Sequence, residues 1–106
     1  PMTGLDHIDL AECERRNIKV ISLQGETEFL ESISSTTEHS FGLILALLRN
    51  YKTALKEPYQ ERKCYIGHTL RDKTLGLIGG GGRIGRQMCE IAEAFGMNVI
   101  IYDKKY

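Results

Sequence analysis

Seven residues at positions 79 to 85 constrain the fold of this 106-residue chain more than any other part of its sequence. They are Gly-Gly-Gly-Gly-Arg-Ile-Gly, and only Gly80, Gly82 and Gly85 fit the spacing Gly-x-Gly-x-x-Gly. Glycine has no Cβ, so it permits tight turns and a close approach of other backbone, but it weakens the interior of a helix or a strand. We therefore expect this segment to join two regular elements.

The residues around the glycines predict a strand, a helix and a second strand. Residues 74–79 and 98–103 are rich in aliphatic side chains and are strand candidates. Between them, apolar residues recur at the spacing of one helix face, and Gly96 is typical of the end of a helix. Strand, glycine turn, helix and strand together predict an α/β fold with one right-handed β-α-β unit of a parallel Rossmann sheet. The predicted helix face consists of Ile84, Met88, Ile91 and Phe95, with Ala92 beside them.

The spacing of the three glycines suits a bound dinucleotide. Gly80 would allow the turn from strand to helix, Gly82 the approach of a pyrophosphate, and Gly85 the close packing of the helix on the strands. The N–H groups of Arg83 and Ile84, at the start of the helix, would bind the pyrophosphate with the help of the helix dipole. Two other interpretations stay open: a purely structural glycine-rich turn, and a different nucleotide-type ligand such as S-adenosylmethionine.

An acidic residue at the end of the second predicted strand narrows the choice of cofactor. Asp103 lies 18 residues beyond Gly85. This sequence spacing is typical of the carboxylate that accepts hydrogen bonds from the adenosine ribose. A carboxylate there repels a 2′-phosphate, so we predict NAD rather than NADP. Lys104 and Lys105 follow directly and weaken that preference slightly. The guanidinium of Arg83 lies either near the phosphates or in solvent.

The first half of the chain predicts shorter elements and one long helix. Asp9 is a candidate N-cap of a short helix that ends at Asn17, and residues 18–23 are a strand candidate because of their β-branched content. Residues 25–34 predict a loop with one helical turn. The sequence Ser35-Thr36-Thr37-Glu38 is a capping box, and the helix that it opens should continue to about Lys56, before Pro58.

The long helix is apolar almost all round. One stripe has helical spacing, and further leucines fall on its other faces. Such a helix must be covered on more than one side. We therefore expect a partner chain or further segments against residues 35–56. The stripe consists of Phe41, Ile44, Leu48, Tyr51 and Leu55.

Composition excludes several classes of protein. Lys plus Arg and Asp plus Glu both number 14, so the net charge is zero, whereas proteins that bind nucleic acids or anionic membranes through bulk charge need an excess of cations. The longest apolar run without glycine, residues 43–48, is too short to span a membrane. With no visible signal peptide, we expect a cytoplasmic protein without nucleic-acid or membrane partners.

The sequence offers no convincing catalytic group or metal site. The three cysteines are odd in number and lack metal-ligand spacing, and Cys13 and Cys89 fall in helical patterns typical of buried thiols. His7, His39 and His68 are interpreted as surface or capping residues. We therefore assign a cofactor site, but neither a catalytic residue nor a metal ligand.

Several blocks along the chain resemble the D-isomer-specific 2-hydroxyacid dehydrogenases, and they follow that family's order. Residues 3–10 resemble a turn of its substrate domain, residues 17–20 the strand that follows, and residues 35–50 its long interdomain helix. Residues 73–85 and 101–103 resemble the start of its dinucleotide-binding domain. The resemblance extends over essentially the whole chain.

The resemblance implies a two-domain, NAD-dependent oxidoreductase that transfers hydride between nicotinamide and a small 2-hydroxy acid. It implies that the backbone N–H groups of Thr3 and Gly4 bind the substrate carboxylate, and that a homodimer forms through helix 35–56. The family's catalytic Arg, Glu and His have no counterpart here, so we expect the chain alone to be inactive. The alternative is a non-catalytic nucleotide-binding or dimerisation module.

The same resemblance divides the chain into four segments. These are the end of a substrate-binding domain (residues 1–34), a linking helix (35–57), a connection (58–73) and the start of the NAD-binding domain (74–106). Two features differ from the family pattern. The segment 79–85 has one residue more than the usual Gly-x-Gly-Arg-Ile-Gly, which leaves the identity of the phosphate-binding N–H groups open, and the stretch from 25 to 35 is longer than in many members.

Overall fold

A computed structural model describes residues 3–56 and 62–104 of the chain. The chain divides into two compact units, residues 1–33 and residues 34–106. Among the described residues, no helix combines the length and the apolar character that a membrane span requires.

The N-terminal unit begins with helix α1 (Leu10–Arg15). Its start is as predicted: Asp9 is the N-cap, and its Oδ1 accepts the N–H of Glu12 at 2.9 Å. Its end is also as predicted, because Asn17 has the left-handed φ of 55°. Arg15 and then Arg16 form ion pairs with Glu12 and lower the pKa of its carboxyl group.

The predicted strand at residues 18–23 is wrong. This segment has irregular backbone, and the side chain of Ile21 is 84% exposed. β-branched residues favour a strand only where a neighbouring strand and a packed face exist, and among the described residues none pairs with this segment. The single helical turn expected between residues 25 and 34 is present as α2 (Thr27–Glu31).

The C-terminal unit contains the predicted β-α-β arrangement. It consists of β1 (Thr74–Ile78), the later helix α5 (Arg83–Ala94) and β2 (Asn98–Tyr102). The strands are parallel, with Thr74 opposite Asn98 and Ile78 opposite Tyr102. This confirms the α/β class and a partial Rossmann sheet, because parallel neighbours require a crossover of this kind.

The core lies on one face of the two-stranded sheet. Alternate strand residues, which point to the same face, pack on a buried cluster formed by Phe41, Met88 and Ala92. The Phe41 and Phe95 rings stack with their centroids 5.7 Å apart. Thr37 is buried, and its hydroxyl donates to Oε1 of Gln87 at 2.7 Å. The first helix of this unit is thereby fixed to α5. The strand residues that pack on the cluster are Leu75, Leu77 and Val99.

Two helices occupy the range in which the sequence predicts one. They are α3 (Ser35–Leu48) and α4 (Tyr51–Lys56). The break lies at Asn50, which has a φ of 54° and donates from Nδ2 to the carbonyl of Ile66 at 2.6 Å. Asparagine tolerates this left-handed conformation better than most residues, and the side-chain bond stabilises it. Pro58, the predicted stop, lies outside the described residues.

The predicted capping box at Ser35 is wrong, because the N-cap lies one residue earlier and no capping box forms. The N-cap is Ser34, whose hydroxyl donates to the carboxylate of Glu38, and no side-chain bond to a backbone N–H caps the helix. The apolar stripe is confirmed only in its first part, because Phe41 and Ile44 join the core. Farther along, the stripe residues Tyr51 and Leu55 are 52% and 82% exposed.

Gly42→Ala in α3 should raise the free energy of unfolding by about 0.5–1 kcal/mol, because glycine in a helix interior is destabilising. A Cβ at this position meets no atom within 4 Å. Urea denaturation followed by circular dichroism measures the change. Gly96→Ala is the matched control of opposite sign: Gly96 has a φ of 73°, and alanine there should cost about 1–2 kcal/mol. Equal effects of the two substitutions would contradict this interpretation.

Candidate functional site

The glycine segment forms the turn that leads from the carboxyl end of β1 into α5. Gly79 has a φ of 80°, and its N–H donates to the carbonyl of Tyr102 at 2.7 Å. The N–H of Gly82 donates back to the carbonyl of Gly79 at 3.1 Å. The turn therefore lies at the end of both strands, which is where open parallel sheets bind their ligands.

Two of the motif glycines occupy positions with no room for a side chain. A Cβ on Gly85 would lie 2.5 Å from the Cα of Gly80 and 2.6 Å from the carbonyl oxygen of Gly79. A Cβ on Gly80 would overlap the side chain of Ile101. Gly82 is less crowded, since its Cβ would lie 3.3 Å from the oxygen of Gly79. The first turn of α5 is thus packed directly on the backbone that leaves β1.

The carboxylate of Asp103 reaches the glycine turn. Its Oδ2 accepts the N–H of Gly81 at 3.0 Å, and Arg86 donates from Nη1 to the carbonyl of Gly81 at 2.8 Å. Both backbone polar groups of Gly81 are therefore bonded to side chains. The turn and these side chains surround an open cavity of about 500 Å³. It is lined by Gly80, Gly81, Arg86, Ile101 and Asp103.

Three of these lining residues, Gly81, Arg86 and Ile101, were missed by the sequence reasoning. The spacing of Arg86 gives a clue, because it lies four residues after Gly82 and faces the turn from one helical turn away. Ile101 precedes Asp103 by two residues and so shares its face of the strand. A second depression of about 320 Å³ adjoins Asp103 on the side of Tyr102 and Lys104.

The start of α5 offers backbone donors. The N–H groups of Ile84 and Gly85 have no acceptor among the described residues, and the N-cap, Gly82, has extended backbone without a side-chain cap. The N-terminal end of this helix carries about half a positive charge. An anionic group is therefore favoured in front of it. The side chain of Arg83 is partly buried beside these groups.

The other residues singled out in the sequence lie elsewhere. Thr3 and Gly4 belong to the N-terminal unit, where they are exposed in irregular backbone. Cys13 and Cys89 are free thiols and only partly buried. Burial raises the pKa of the Cys89 thiol, and the nearby charges of Glu93 and Glu90 add to this effect. Such a thiol is a poor nucleophile. No metal-binding cluster of His, Cys, Asp or Glu occurs among the described residues.

The family comparison identifies the chain. Residues 41–106 match the model of the family described as "D-isomer specific 2-hydroxyacid dehydrogenase, NAD binding domain". The chain belongs to this family. The NAD-binding domain of these dehydrogenases is thus the part to which the glycine turn and Asp103 belong.

Individual relatives agree with this assignment. The chain is 42% identical over 103 residues to the hydroxypyruvate reductase of Thermotoga maritima, covering 94% of this chain and 32% of that protein. It is 36% identical over 103 residues to the D-3-phosphoglycerate dehydrogenase of Bacillus subtilis, covering 94% of this chain and 18% of that protein. The chain therefore spans a third or less of the length of these relatives.

Solved structures of related proteins have the same fold. The D-lactate dehydrogenase from Aquifex aeolicus, a complex with NAD and lactic acid, superimposes with a TM-score of 0.69 at 33% identity, covering 96% of this chain and 30% of that one. The TT0316 protein from Thermus thermophilus gives a TM-score of 0.76 at 29% identity, covering 95% and 32%.

Gly85→Ala should displace the glycine turn, because the new Cβ would meet backbone atoms that have no flexible side chain to move. We expect a loss of about 1–3 kcal/mol in the free energy of unfolding, as for other overpacked sites. Urea denaturation and the amide NMR shifts of residues 79–82 report the two effects. In the control, Gly76→Ala on β1, a Cβ meets nothing within 4 Å. An unshifted turn in Gly85→Ala would contradict the predicted contact.

Proposed function

We propose that this chain is the cofactor-binding part of an NAD-dependent oxidoreductase that transfers hydride between nicotinamide and a small 2-hydroxy or 2-oxo acid. One observation carries the proposal: the carboxylate of Asp103 meets the glycine turn through the N–H of Gly81 at 3.0 Å. A carboxylate and a glycine turn, which we assign to the ribose and to the phosphates, thereby meet at one cavity. That arrangement is the one a dinucleotide requires.

The chain's own residues suit such a ligand. In our proposal, Gly80, Gly82 and Gly85 keep the turn free of Cβ atoms. The N–H groups of Arg83 and Ile84 face the pyrophosphate at the start of α5. NAD, when bound, supplies the hydride acceptor or donor. The packing of Gly85 on Gly80, described above, supports this assignment because a side chain there would displace the turn.

Asp103 is the residue that we expect to select the cofactor. Its carboxylate borders the cavity and would accept hydrogen bonds from the ribose hydroxyls, whereas a 2′-phosphate would bring like charges together. Arg86 and Lys104 also border the two depressions beside Asp103 and reduce the repulsion. The expected preference is thus for NAD, with a measurable affinity for NADP.

Titration calorimetry tests this assignment. We expect NAD to bind the chain more tightly than NADP, and S-adenosylmethionine not to bind. Asp103→Asn should weaken NAD binding by about tenfold or more, because hydrogen bonds to a charged group are worth about 1.5–3 kcal/mol, and should narrow the NAD-to-NADP affinity ratio by a similar factor. Asp72→Asn is the control: it removes the same charge from an exposed site, and asparagine tolerates its φ of 64°.

The outcomes separate the candidate functions. Binding of S-adenosylmethionine in place of NAD would show a different nucleotide ligand. Binding of neither by the folded chain would leave the glycine turn with a structural role alone. An unchanged NAD-to-NADP ratio in Asp103→Asn would remove this residue from the proposed ribose site.

The substrate side of the proposal concerns the N-terminal unit. We propose that residues 1–34 contribute to a substrate-binding domain, in which the N–H groups of Thr3 and Gly4 bind the substrate carboxylate. Residues 35–57 would link it, through the connection 58–73, to the NAD-binding part at 74–106. The exposed backbone at Thr3 and Gly4 is compatible with such contacts.

The 106-residue chain alone should not catalyse the turnover of a 2-oxo acid with NADH. The catalytic Arg, Glu and His that the family resemblance implies have no counterpart among its residues, and the three histidines are exposed. NADH oxidation followed at 340 nm with hydroxypyruvate, pyruvate or glyoxylate should equal the rate without protein. The related D-lactate dehydrogenase from Aquifex aeolicus serves as the positive control. Turnover by the chain with any of the three acids would contradict this prediction.

We also propose that a homodimer forms through helix 35–56. The exposed leucines of α3 and α4 support it, since Leu43, Leu47 and Leu55 are more than half exposed. Isolated surface leucines are common, but Leu43 and Leu47 lie one turn apart on α3, and together with Leu55 on α4 they favour a covering surface.

A further inference from the structure

A second cavity lies at the end of α5 opposite the glycine turn. It has a volume of about 340 Å³ and is bordered by the last turn of α3, by Phe95 at the end of α5 and by residues 68–71 before β1. The twelve residues of α5 make it about 18 Å long. The two cavities are therefore separated by the length of a helix.

Part of the wall of this cavity is apolar. Leu45 on α3, Leu70 in the connecting segment and Phe95 form this part, and the other lining residues, which include His68 and Thr69, are polar or charged. Leu70 is buried, and the Phe95 ring is held by its stack on Phe41. A ligand with an aliphatic or aromatic body would find fixed surface on which to pack.

Two guanidinium groups give the cavity a positive charge. Arg49, at the end of α3, and Arg71, in the segment before β1, both line it, and none of the lining residues is acidic. The C-terminal ends of α3 and α5 contribute about half a negative charge each. Two full positive charges outweigh them, so the cavity favours an anion.

Each arginine side chain lies beside a glycine. The position that a Cβ would take on Gly67 is 3.3 Å from Cδ of Arg49. The corresponding position on Gly96 is 3.6 Å from Nη1 of Arg71 and 3.7 Å from its Cζ. Each arginine therefore lies along a backbone that has no side chain of its own.

The arginines are not needed to cap the helix ends, which is the usual structural role at such positions. Backbone donors already satisfy these carbonyls: His68 N–H bonds to Leu48 at 2.9 Å, and Met97 N–H bonds to Ala92 at 3.0 Å. Within residues 3–56 and 62–104, neither guanidinium forms a hydrogen bond or an ion pair. Their donors are available to a ligand.

We propose that this cavity binds a small organic oxyanion. Its carboxylate or phosphate group would lie between Arg49 and Arg71, because the planar guanidinium matches these groups with paired hydrogen bonds. Its apolar body would pack on Leu45 and Phe95. The volume equals that of about ten water molecules, which suits a ligand of the size of an aromatic acid. This site is separate from the proposed cofactor site and does not depend on it.

Two probes test the proposal on the full 106-residue chain by ¹⁵N NMR. Phenyl phosphate and phenylacetate carry the two candidate anionic groups on the same ring, and their relative affinities show which group the site prefers. Saturable shifts should appear at the amides of residues 67–71 and 95–96. Benzyl alcohol, which has the ring without the charge, should not bind. Shifts confined to residues 79–85 would place the anion at the glycine turn and overturn the proposal, as would no binding of either probe.

Charge-removing variants assign the binding to the two arginines. Arg49→Gln and Arg71→Gln should each lower the affinity for the tighter-binding probe about tenfold, as expected for losing a charged hydrogen bond. The double variant should lower this affinity more than either single variant. Lys52→Gln removes the same charge from an exposed position on α4 and should leave the affinity unchanged. The double Arg→Lys variant keeps both positive charges but lacks the paired donors of the planar guanidinium groups. It should bind the probe less tightly than the original chain. Equal affinities in all variants would overturn the proposal.

Discussion

The contact between Gly85 and Gly80 is the constraint on which the C-terminal unit depends. It lets the first turn of α5 lie against the backbone that has just left β1, with no Cβ between them. This close approach sets how α5 returns across the strands, and so where Met88 and Ala92 meet Phe41 in the core. The same contact leaves the backbone N–H groups at the start of α5 at the edge of the glycine turn. Core packing and the candidate site thus follow from one backbone contact.

This unit was predictable because its signals are local and agree with one another. Glycine spacing, an amphipathic helix face and two aliphatic strands all require the same β-α-β order, and Gly96 ends the helix as predicted, with a φ of 73°. The spacing alone also predicted Asp103, which lines the cavity beside the glycine turn. Its partner, Gly81, was not predicted, because the glycine motif assigns no role to that position. Only the folded turn shows that its N–H points to the carboxylate.

The incorrect predictions have a common physical origin. Residues 18–23 have the composition of a strand, but strand propensity has no effect without a paired neighbour. The helix predicted from Ser35 to Lys56 breaks at Asn50 because a distant residue, Ile66, accepts its side-chain hydrogen bond. The sequence pattern does not reveal this break, because Tyr51 and Leu55 keep the helical spacing of the apolar stripe beyond it. In both segments the secondary structure therefore depends on whether residues distant in the sequence form a contact, which a local pattern does not show.

The two ends of α5 differ in the groups that bond to their terminal backbone N–H and carbonyl groups. This difference explains why the cavities at the two ends differ in character. At the start of the helix, glycines leave backbone N–H groups without side-chain caps, and a carboxylate, Asp103, balances the positive end through Gly81. At the other end, backbone donors already satisfy carbonyls such as that of Ala92, so the guanidinium of Arg71 is left facing the cavity. A helix whose carbonyls required that arginine would leave a ligand there one guanidinium, that of Arg49, instead of two. The segment 67–72 is thus as important for the second cavity as the glycine turn is for the first.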